Sequence, residues 1–343
     1  MKGKRLRALM GAIVVLGLAV ISMRTPTPPK LPDLSQRIVK GRPLSLWLQE
    51  VTDRIDQNAA QVIREVADEV VPHLIAALEI KDSLLNTAYV TLWPKLPARI
   101  QQKLKAPILA RDARMNAVVA LREIGQAANA AVPALTERLS DRDGTIRLHS
   151  AIALGNIGDS ARRAIPHLIP SLTSTSHTVR VYAANALWKI NKDTNAVLPV
   201  LEEGIRDRTA KFRWAAAVFL GEMGPAAERA IPLLEQAADD ADDEVASLAI
   251  QAMAQISPKA LPFIAQKLSR SRPDLRISAI YALGKLGSGA KEAVPLLLQA
   301  LEDHDAGSPA IMGRPLGSEQ VRESAANVLK QIDPEAAEKA GIR

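Results

Sequence analysis

The feature that most constrains this chain is an internal repeat with a period of 33 residues. An aliphatic residue followed by a small or polar one recurs at this interval, at Ile124-Gly125, Ile157-Gly158, Ile190-Asn191, Met223-Gly224 and Ile256-Ser257. Proline recurs in step, at Pro133, Pro166, Pro199, Pro232, Pro262 and Pro295. Only the step from Pro232 to Pro262 is shorter, at 30 residues, which places a three-residue deletion in a turn. Such a period predicts stacked structural units rather than one globular core.

Two further columns keep the same register. One contains Arg114, Arg147, Arg180, Arg213, Ala246, Arg276 and Arg322, and the other contains Leu121, Leu154, Leu187, Leu220, Met253, Leu283 and Leu329. Apolar residues around Leu187 fall at helical spacing and form one face, as in Val179, Tyr182, Ala183, Ala186 and Ile190. Each repeat is therefore predicted to be two antiparallel helices. The first helix of the repeat ends at a Gly or Asn, and the second helix begins at the proline.

The pattern Val-Arg-x-x-Ala-Ala-x-Ala-Leu-x-x-Ile-Gly followed by Ala-(Val/Ile)-Pro-x-Leu resembles the HEAT repeat, in the short form typical of phycobilisome-lyase-type proteins. The resemblance covers residues 112–333. It implies an all-α fold, a right-handed α-α superhelix of the armadillo type, and an interaction scaffold more often than an enzyme. It also implies a structural role for the Arg column, in which each Arg bonds loop carbonyls or an Asp of the adjoining unit, such as Asp141 or Asp207.

The organisation predicted from these patterns has four parts. Residues 1–23 are a basic head and a hydrophobic helix, and residues 24–43 are a Pro-rich linker. Residues 44–111 are degenerate helical repeats, and residues 112–343 are the HEAT-like solenoid. In the third part, Val71-Pro72-His73-Leu74 matches the second-helix pattern, Leu84–Lys105 is interrupted by Pro94 and Pro97, and Gly41–Leu48 resembles the start of bacterial membrane-anchored HEAT proteins.

Residues 8–23 contain no charged side chain and lie between Arg7 and Arg24. As a helix they span about 24 Å, which is somewhat less than the hydrocarbon core of a bilayer. Two interpretations stay open, an uncleaved membrane anchor or a cleaved secretory signal. Because the basic head stays in the cytoplasm, both carry the body outward. We expect a single-pass protein of the bacterial inner membrane with a periplasmic solenoid, or alternatively a secreted protein.

The charge distribution disfavours a nucleic-acid partner. The net charge is +7, but residues 1–30 contain six basic residues and no acid, which leaves only +1 for residues 31–343. A body this close to neutral lacks the basic field that phosphate binding needs. The chain also contains no Cys, which excludes disulfides, thiolate metal sites and a Cys nucleophile.

No catalytic, cofactor-binding or metal-binding residues are predicted, and no cofactor is expected. The histidines stand far apart and form no His-Glu or His-x-x-x-His motif, which excludes the di-iron hydroxylase type of HEAT-like protein. The acidic run Asp239–Glu244 lacks the Gly and the distant Glu of a calcium loop, so we interpret it as a solvated turn before a helix. Glu302-Asp303-His304-Asp305 has ligand residue types without a second cluster.

Two features are candidate partner surfaces. Aromatic side chains concentrate in neighbouring repeats, where Tyr182 falls on a core-facing position while Trp188 and Trp214 occupy positions that allow partial exposure. Core packing is the favoured interpretation of these aromatic residues, and a partner surface that includes them is the alternative. The second feature is the insertion at residues 303–318, which carries Ile311 and Met312; it is equally well interpreted as a functional loop or as a tolerated insertion.

The function predicted from the sequence is a non-enzymatic scaffold that binds a protein partner along a groove of stacked second helices. The alternative, which the resemblance implies, is a lyase-like or chaperone-lyase activity on a cofactor-bearing protein. A lyase needs a ligand-sized apolar pocket with converging polar groups, whereas a scaffold should have a broad, shallow groove. The geometry of the second helices therefore discriminates between the two.

Overall fold

The chain folds into short α-helices joined by tight turns. A computed structural model describes residues 37–54, 56–81, 84–102, 104, 109–270, 272–303 and 318–342. The helices are α1 Leu44–Arg54, α2 Gln57–Glu65, α3 Ala67–Leu78, α4 Leu84–Leu92, α5 Ala98–Gln101, α6 Ala110–Ile124, α7 Val132–Arg138, α8 Gly144–Ile157, α9 Ile165–Leu168, α10 His177–Asn191, α11 Thr194–Gly204, α12 Ala210–Met223, α13 Ile231–Ala237, α14 Asp243–Ile256, α15 Leu261–Arg270, α16 Pro273–Leu286, α17 Val294–Ala300, α18 Ser318–Ile332 and α19 Pro334–Lys339. The predicted all-α repeat architecture is confirmed.

The chain divides into two compact units. The first unit comprises residues 1–170 with 189–191, and the second comprises residues 171–188 with 192–343. From α6 onward, the even-numbered helices are the first helices of the repeats, and the odd-numbered helices are the second helices. In the first unit α6 packs against α3 and α8, and in the second unit α14 packs against both α12 and α16. Each unit therefore buries its core between successive first helices.

The leucine column forms that core. All of its members are at most 2% exposed: Leu121, Leu154, Leu187, Leu220, Met253, Leu283 and Leu329. Close approach of the helices depends on small residues beside this column. A Cβ added at Gly221 would lie only 3.2 Å from the Cα of Ala252 in α14. The column predicted as buried is thus confirmed as the interlocking part of the stack.

The first helices end as their sequences predict. Gly125, Gly158, Gly224 and Gly287 have φ between 56° and 74°, which an L side chain rarely adopts. The repeat with Asn191 differs from the expectation, because Asn191 is still helical and the following Lys192 takes the left-handed conformation, with φ 58°. The left-handed residue is displaced by one position there.

From α7 onward, the second helices that carry the proline column begin at it, with one exception. Pro133, Pro166, Pro232, Pro262 and Pro295 lie at the start of their helices, where the missing N–H costs nothing. Pro199 instead lies inside α11, because the Asp193 carboxylate accepts a hydrogen bond from the Ala196 N–H and starts the helix earlier. The predicted three-residue deletion is confirmed between α14 and α15, where the four residues Ser257–Ala260 replace a seven-residue turn such as Gly224–Ala230.

A small hairpin precedes α1 and includes the last residues of the predicted linker, residues 24–43. Strands β1 (Ile38–Val39) and β2 (Arg42–Pro43) pair antiparallel around Lys40-Gly41, both of which have positive φ. The indole N–H of Trp47 donates to the Val39 carbonyl at 3.0 Å, and the Arg42 guanidinium lies 4.4 Å from the centre of the same ring. The start of α1 thereby holds the hairpin.

The predicted membrane segment, residues 8–23, lies outside the described residues. Among the residues that are described, no helix combines the length and the apolar character needed to cross a bilayer. The degenerate pair expected at Leu84–Lys105 appears as α4, a 3₁₀ turn at Trp93–Lys95 and α5, so the chain breaks at the two prolines.

Candidate partner-binding surface

The second helices of the second unit carry an apolar row on their solvent side. The residue that follows the proline is apolar and half-buried in each of α11, α13, α15 and α17, namely Val200, Leu233, Phe263 and Leu296. We call these four residues the apolar stripe. The same column in the first unit contains His73, Ala134 and His167. The stripe is therefore confined to the second unit, although both units have the same repeat.

Three features connect successive second helices of the second unit. A shallow depression of about 190 Å³ joins the end of α11 to α13 and is lined by Ile205, Arg206, Leu233, Gln236, Ala237 and Asp240. Lys267 of α15 forms an ion pair with Asp239, which follows α13, and α15 packs against α17. The depression is smaller than the roughly 300 Å³ at which small-molecule pockets begin. It suits one side chain of a partner.

An ion pair supports one wall of this depression. Arg213 donates from Nε and Nη2 to both carboxylate oxygens of Asp240, each at 2.7 Å, and from Nη1 to the Asp207 carbonyl at 2.9 Å. The hydrogen bonds from Arg213 hold the pKa of the Asp240 carboxyl below its ordinary value, and the same contact raises the pKa of Arg213. The carboxylate also accepts from the Asp242 N–H at 2.8 Å. Asp240 is thus fixed by the protein itself.

The other members of the Arg column make equivalent contacts. Arg147 and Arg180 each donate to the carbonyl six residues earlier, at 2.8 Å, those of Asp141 and Ser174. Arg114 binds the Asp141 carboxylate at 3.0 Å, so that one Asp serves two successive arginines. Arg276 binds Asp303 in the same way at 2.8 Å. These contacts are the ones implied by the structural interpretation of the column, in which the arginines join turns rather than line a groove.

The acidic run Asp239–Glu244 forms a turn and a helix start, as predicted. Asp242 caps α14 by accepting from the Glu244 and Val245 N–H groups, both at 3.1 Å. Asp243 pairs with Arg272 at 2.6 Å. Among the described residues, no three His, Asp or Glu side chains come together in an arrangement that could hold a metal ion.

The aromatic residues predicted as a partner surface separate into two environments. Trp188 is only 8% exposed, and Lys192 Nζ lies 4.8 Å from its ring centre, so the indole packs in the core at a position where other repeats have Gly. Trp214 is half-buried and donates from its indole N–H to Glu244 at 3.0 Å. Tyr182 is half-buried and packs edge-to-face on Phe219 at 5.2 Å.

The structure does not bring the aromatic residues onto the stripe. They lie on first helices, whereas the stripe lies on second helices. Ile311 and Met312, the remaining predicted surface residues, lie outside the described residues. Reasoning from the sequence missed the stripe, although its signal was present in the residue that follows each proline of the repeat.

Comparison with known proteins agrees with the repeat. A family model described as HEAT repeats matches residues 107–187, 165–254 and 232–308, which together cover more than half of the chain. The chain belongs to the HEAT-repeat family. This HEAT-repeat protein is similar to the complex of CpcE and CpcF of phycocyanin lyase from Nostoc sp. PCC7120, with 19% identity, 79% of this chain and 98% of that chain covered, and a TM-score of 0.43.

A second similar structure is an engineered protein. It shares 20% identity with this HEAT-repeat protein over 59% of this chain and 98% of that chain, with a TM-score of 0.39. The comparison with curated proteins gave no match.

Proposed function

We propose that this HEAT-repeat protein is a non-enzymatic scaffold whose second unit binds a partner protein through the apolar stripe. The observation that carries the proposal is the row Val200, Leu233, Phe263 and Leu296, each half-buried and so partly accessible, on four successive second helices. Folding does not require apolar residues there, since the first unit has His and Ala in the same column. Apolar side chains that stay partly accessible without a need in folding indicate an interaction site.

The depression beside Leu233 supports a role in binding. Its volume of about 190 Å³ accommodates one side chain of a partner. A row of half-buried apolar side chains gives a broad contact area with several weak anchors. Such a surface is suited to binding a polypeptide segment.

The proposal includes a tether at the N-terminus. The basic head and the uncharged residues 8–23 support attachment to the bacterial inner membrane with the repeats on the periplasmic side, or secretion if the segment is cleaved. Fractionation of the full chain and of a variant without residues 1–30 tests this part. We expect the full chain in the membrane fraction and the shortened one outside it. A shortened chain that stays with the membrane contradicts the tether.

Site-specific crosslinking tests the partner surface. A photoreactive amino acid is placed at Phe263 or Leu296 in the second unit, and at Ala134 or His167 in the first unit as a matched control. We expect a discrete crosslinked product in native cells from the second-unit positions and none from the controls. Equal crosslinking from all four positions, or none from the stripe, contradicts the proposal.

A further inference from the structure

A segment of the first unit keeps its apolar side chains partly accessible to solvent. It consists of the 3₁₀ turn Trp93–Lys95, helix α5 and the residues that adjoin them, and we call residues 93–102 the basic segment. None of its residues is buried, and Trp93, Leu96 and Ile100 are half-buried. By contrast, each second helix from α7 to α17 buries at least one Leu. The apolar side chains of the basic segment are therefore not part of the core.

Two contacts fix the shape of the basic segment. The side-chain NH₂ of Gln101 donates to the Trp93 carbonyl at 2.8 Å and to the Leu96 carbonyl at 3.1 Å, so α5 is held against the 3₁₀ turn. The Trp93 ring packs edge-to-face on Tyr89 of α4, with 5.6 Å between the ring centres, and Tyr89 is buried. Within the described chain, the 3₁₀ turn packs mainly against α4. The basic segment is thus an ordered projection that is attached to the unit largely through α4.

The charge of this region is positive. Between Ser83 and Ala110 the chain contains no acid and four basic residues, which are Lys95, Arg99, Lys103 and Lys105. With the flanking acids included, residues 79–112 contain six basic and three acidic residues, a net charge of +3. Lys95 and Arg99 are exposed, and neither has an ion pair or a side-chain hydrogen bond within the part of the chain that the structure describes. These two cations are available to a negatively charged partner.

The combination of these side chains indicates the kind of partner. Basic residues beside accessible Trp, Leu and Ile are typical of polypeptides that lie in the interface of an anionic bilayer. The apolar side chains enter at the level of the lipid headgroups, while Lys and Arg extend to the phosphates. A soluble polyanion would pair with the cations and leave the apolar side chains unused. The uncharged residues 8–23 precede the same unit, so an anchored chain holds this unit near a bilayer.

We infer that the basic segment is a second membrane contact, by which the first unit lies on a bilayer that contains anionic lipids. Trp93, Leu96 and Ile100 enter the interface, and Lys95 and Arg99 bind lipid phosphates. The inference rests on the tether of the proposed function, because an anchored chain meets the bilayer at a high effective concentration and needs few further contacts. The apolar stripe of the second unit stays available to the partner protein.

The fluorescence of a single label tests the inference. Because the chain contains no Cys, the variant Leu96→Cys carries the environment-sensitive dye NBD at one position only. The labelled full chain is reconstituted into vesicles of phosphatidylcholine, alone or mixed with phosphatidylglycerol. We expect a blue shift of the emission and quenching by brominated lipid tails in the anionic vesicles, and neither in the neutral ones. Added salt should weaken the response, because it screens the attraction.

A second labelling position serves as the control. Ile169→Cys places the dye at a site of the same unit that is 51% exposed and lies outside the basic segment, so its emission should not shift. An equal blue shift at both positions, or in both kinds of vesicle, overturns the inference.

Charge reversal tests the role of the two cations. In the chain labelled at position 96, Lys95→Glu with Arg99→Glu should abolish the blue shift in anionic vesicles. Arg162→Glu with Arg163→Glu is the matched control, because it reverses two exposed charges of the same unit elsewhere, and it should leave the shift unchanged. Circular dichroism confirms that each variant is folded. A shift that persists in the first variant or disappears in the second contradicts the role of the basic segment.

Flotation of the same vesicles separates this inference from the proposed function. If the full chain floats with vesicles of both compositions while the label at position 96 does not respond, the tether stands and the second membrane contact is overturned. If the full chain does not float with neutral vesicles, the tether is contradicted instead. A response of the label in anionic vesicles would then show that the basic segment binds the bilayer by itself.

Discussion

The two units of this protein share a repeat and differ at its surface. Both bury the same leucine column, with Leu154 in the first unit and Leu220 in the second completely inaccessible to solvent. The column after the proline is polar or small in the first unit and apolar in the second. Every repeat must pack against its neighbours in the same way, so the residues of the core columns are similar in all repeats. Residues that face solvent are not constrained by this packing, so a difference between the two units at such a column indicates function.

The largest expected effect tests whether the two cores are equivalent. Leu154→Ala in the first unit and Leu220→Ala in the second should each lower the free energy of unfolding by about 2–5 kcal/mol, because each leaves a cavity between first helices. Urea denaturation measures both. A loss below about 0.5 kcal/mol for either variant would show that its unit does not depend on this column.

The ion pairs between turns should contribute to both units. Asp240→Ala leaves Arg213 largely buried without its carboxylate, so we expect a loss of about 3 kcal/mol at neutral pH. Asp141→Ala, which removes the carboxylate that pairs with Arg114, is the counterpart in the first unit. Urea melts of both variants measure the loss. If only one variant is as stable as the parent, the ion pairs do not contribute equally to the stability of the two units.

The pH dependence of the Asp240 effect follows from its pKa. The folded state lowers this pKa, so its stabilisation is fully present above the ordinary value of about 3.9 and is lost as the pH falls through the folded value. The difference in unfolding free energy between the parent and Asp240→Ala should be constant from about pH 5 to 7 and shrink below about pH 4. A constant difference down to pH 2 would contradict the assignment.

A smaller effect is expected where first helices approach most closely. The new methyl group of Gly221→Ala would crowd Ala252 and the Gln255 side chain, which outweighs the gain in helix propensity, so we expect a net loss of about 1 kcal/mol. Gly289→Ala is the control, because no atom lies within 4 Å of its added Cβ. Thermal melts compare the two, and equal stability would show that α14 can move away without cost.

The smallest effect on stability is expected for a substitution that changes an exposed side chain of the first unit from polar to apolar. His167→Leu places a stripe-like residue in the first unit at an exposed position, so the free energy of unfolding should change by less than about 0.5 kcal/mol. Urea melts measure this change, with Leu168→Ala at the adjacent buried position as a destabilising contrast. A strong effect of His167→Leu would show that this column also serves folding.

Much of the fold could be predicted from the sequence because each structural position occurs in several repeats, so that aligned columns show which residue type it requires. The buried leucines, the Gly residues that end first helices and the deletion before Pro262 were all evident from aligned columns. The hairpin at β1 and β2 was not, because strands of two residues carry no periodic signal. The early start of α11 depends on one capping residue, Asp193, which no column contains.

The surface was harder to predict for a different reason. Aromatic residues attract attention as binding anchors, but the burial of Trp188 depends on the space its neighbours leave, which a single sequence does not give. The stripe consists of ordinary apolar residues that become informative only when the two units are compared. Its position in the repeat could have been predicted, whereas the depression beside Leu233 depends on how α11 and α13 meet.

Asp303 gives the protein a natural place for added sequence. Its carboxylate is bound by Arg276 and its carbonyl accepts from Arg322, so the chain is held on both sides of residues 304–317. Peptide tags, reporter domains or longer loops introduced within this interval should therefore leave α16 and α18 in register, which is a convenience for engineering.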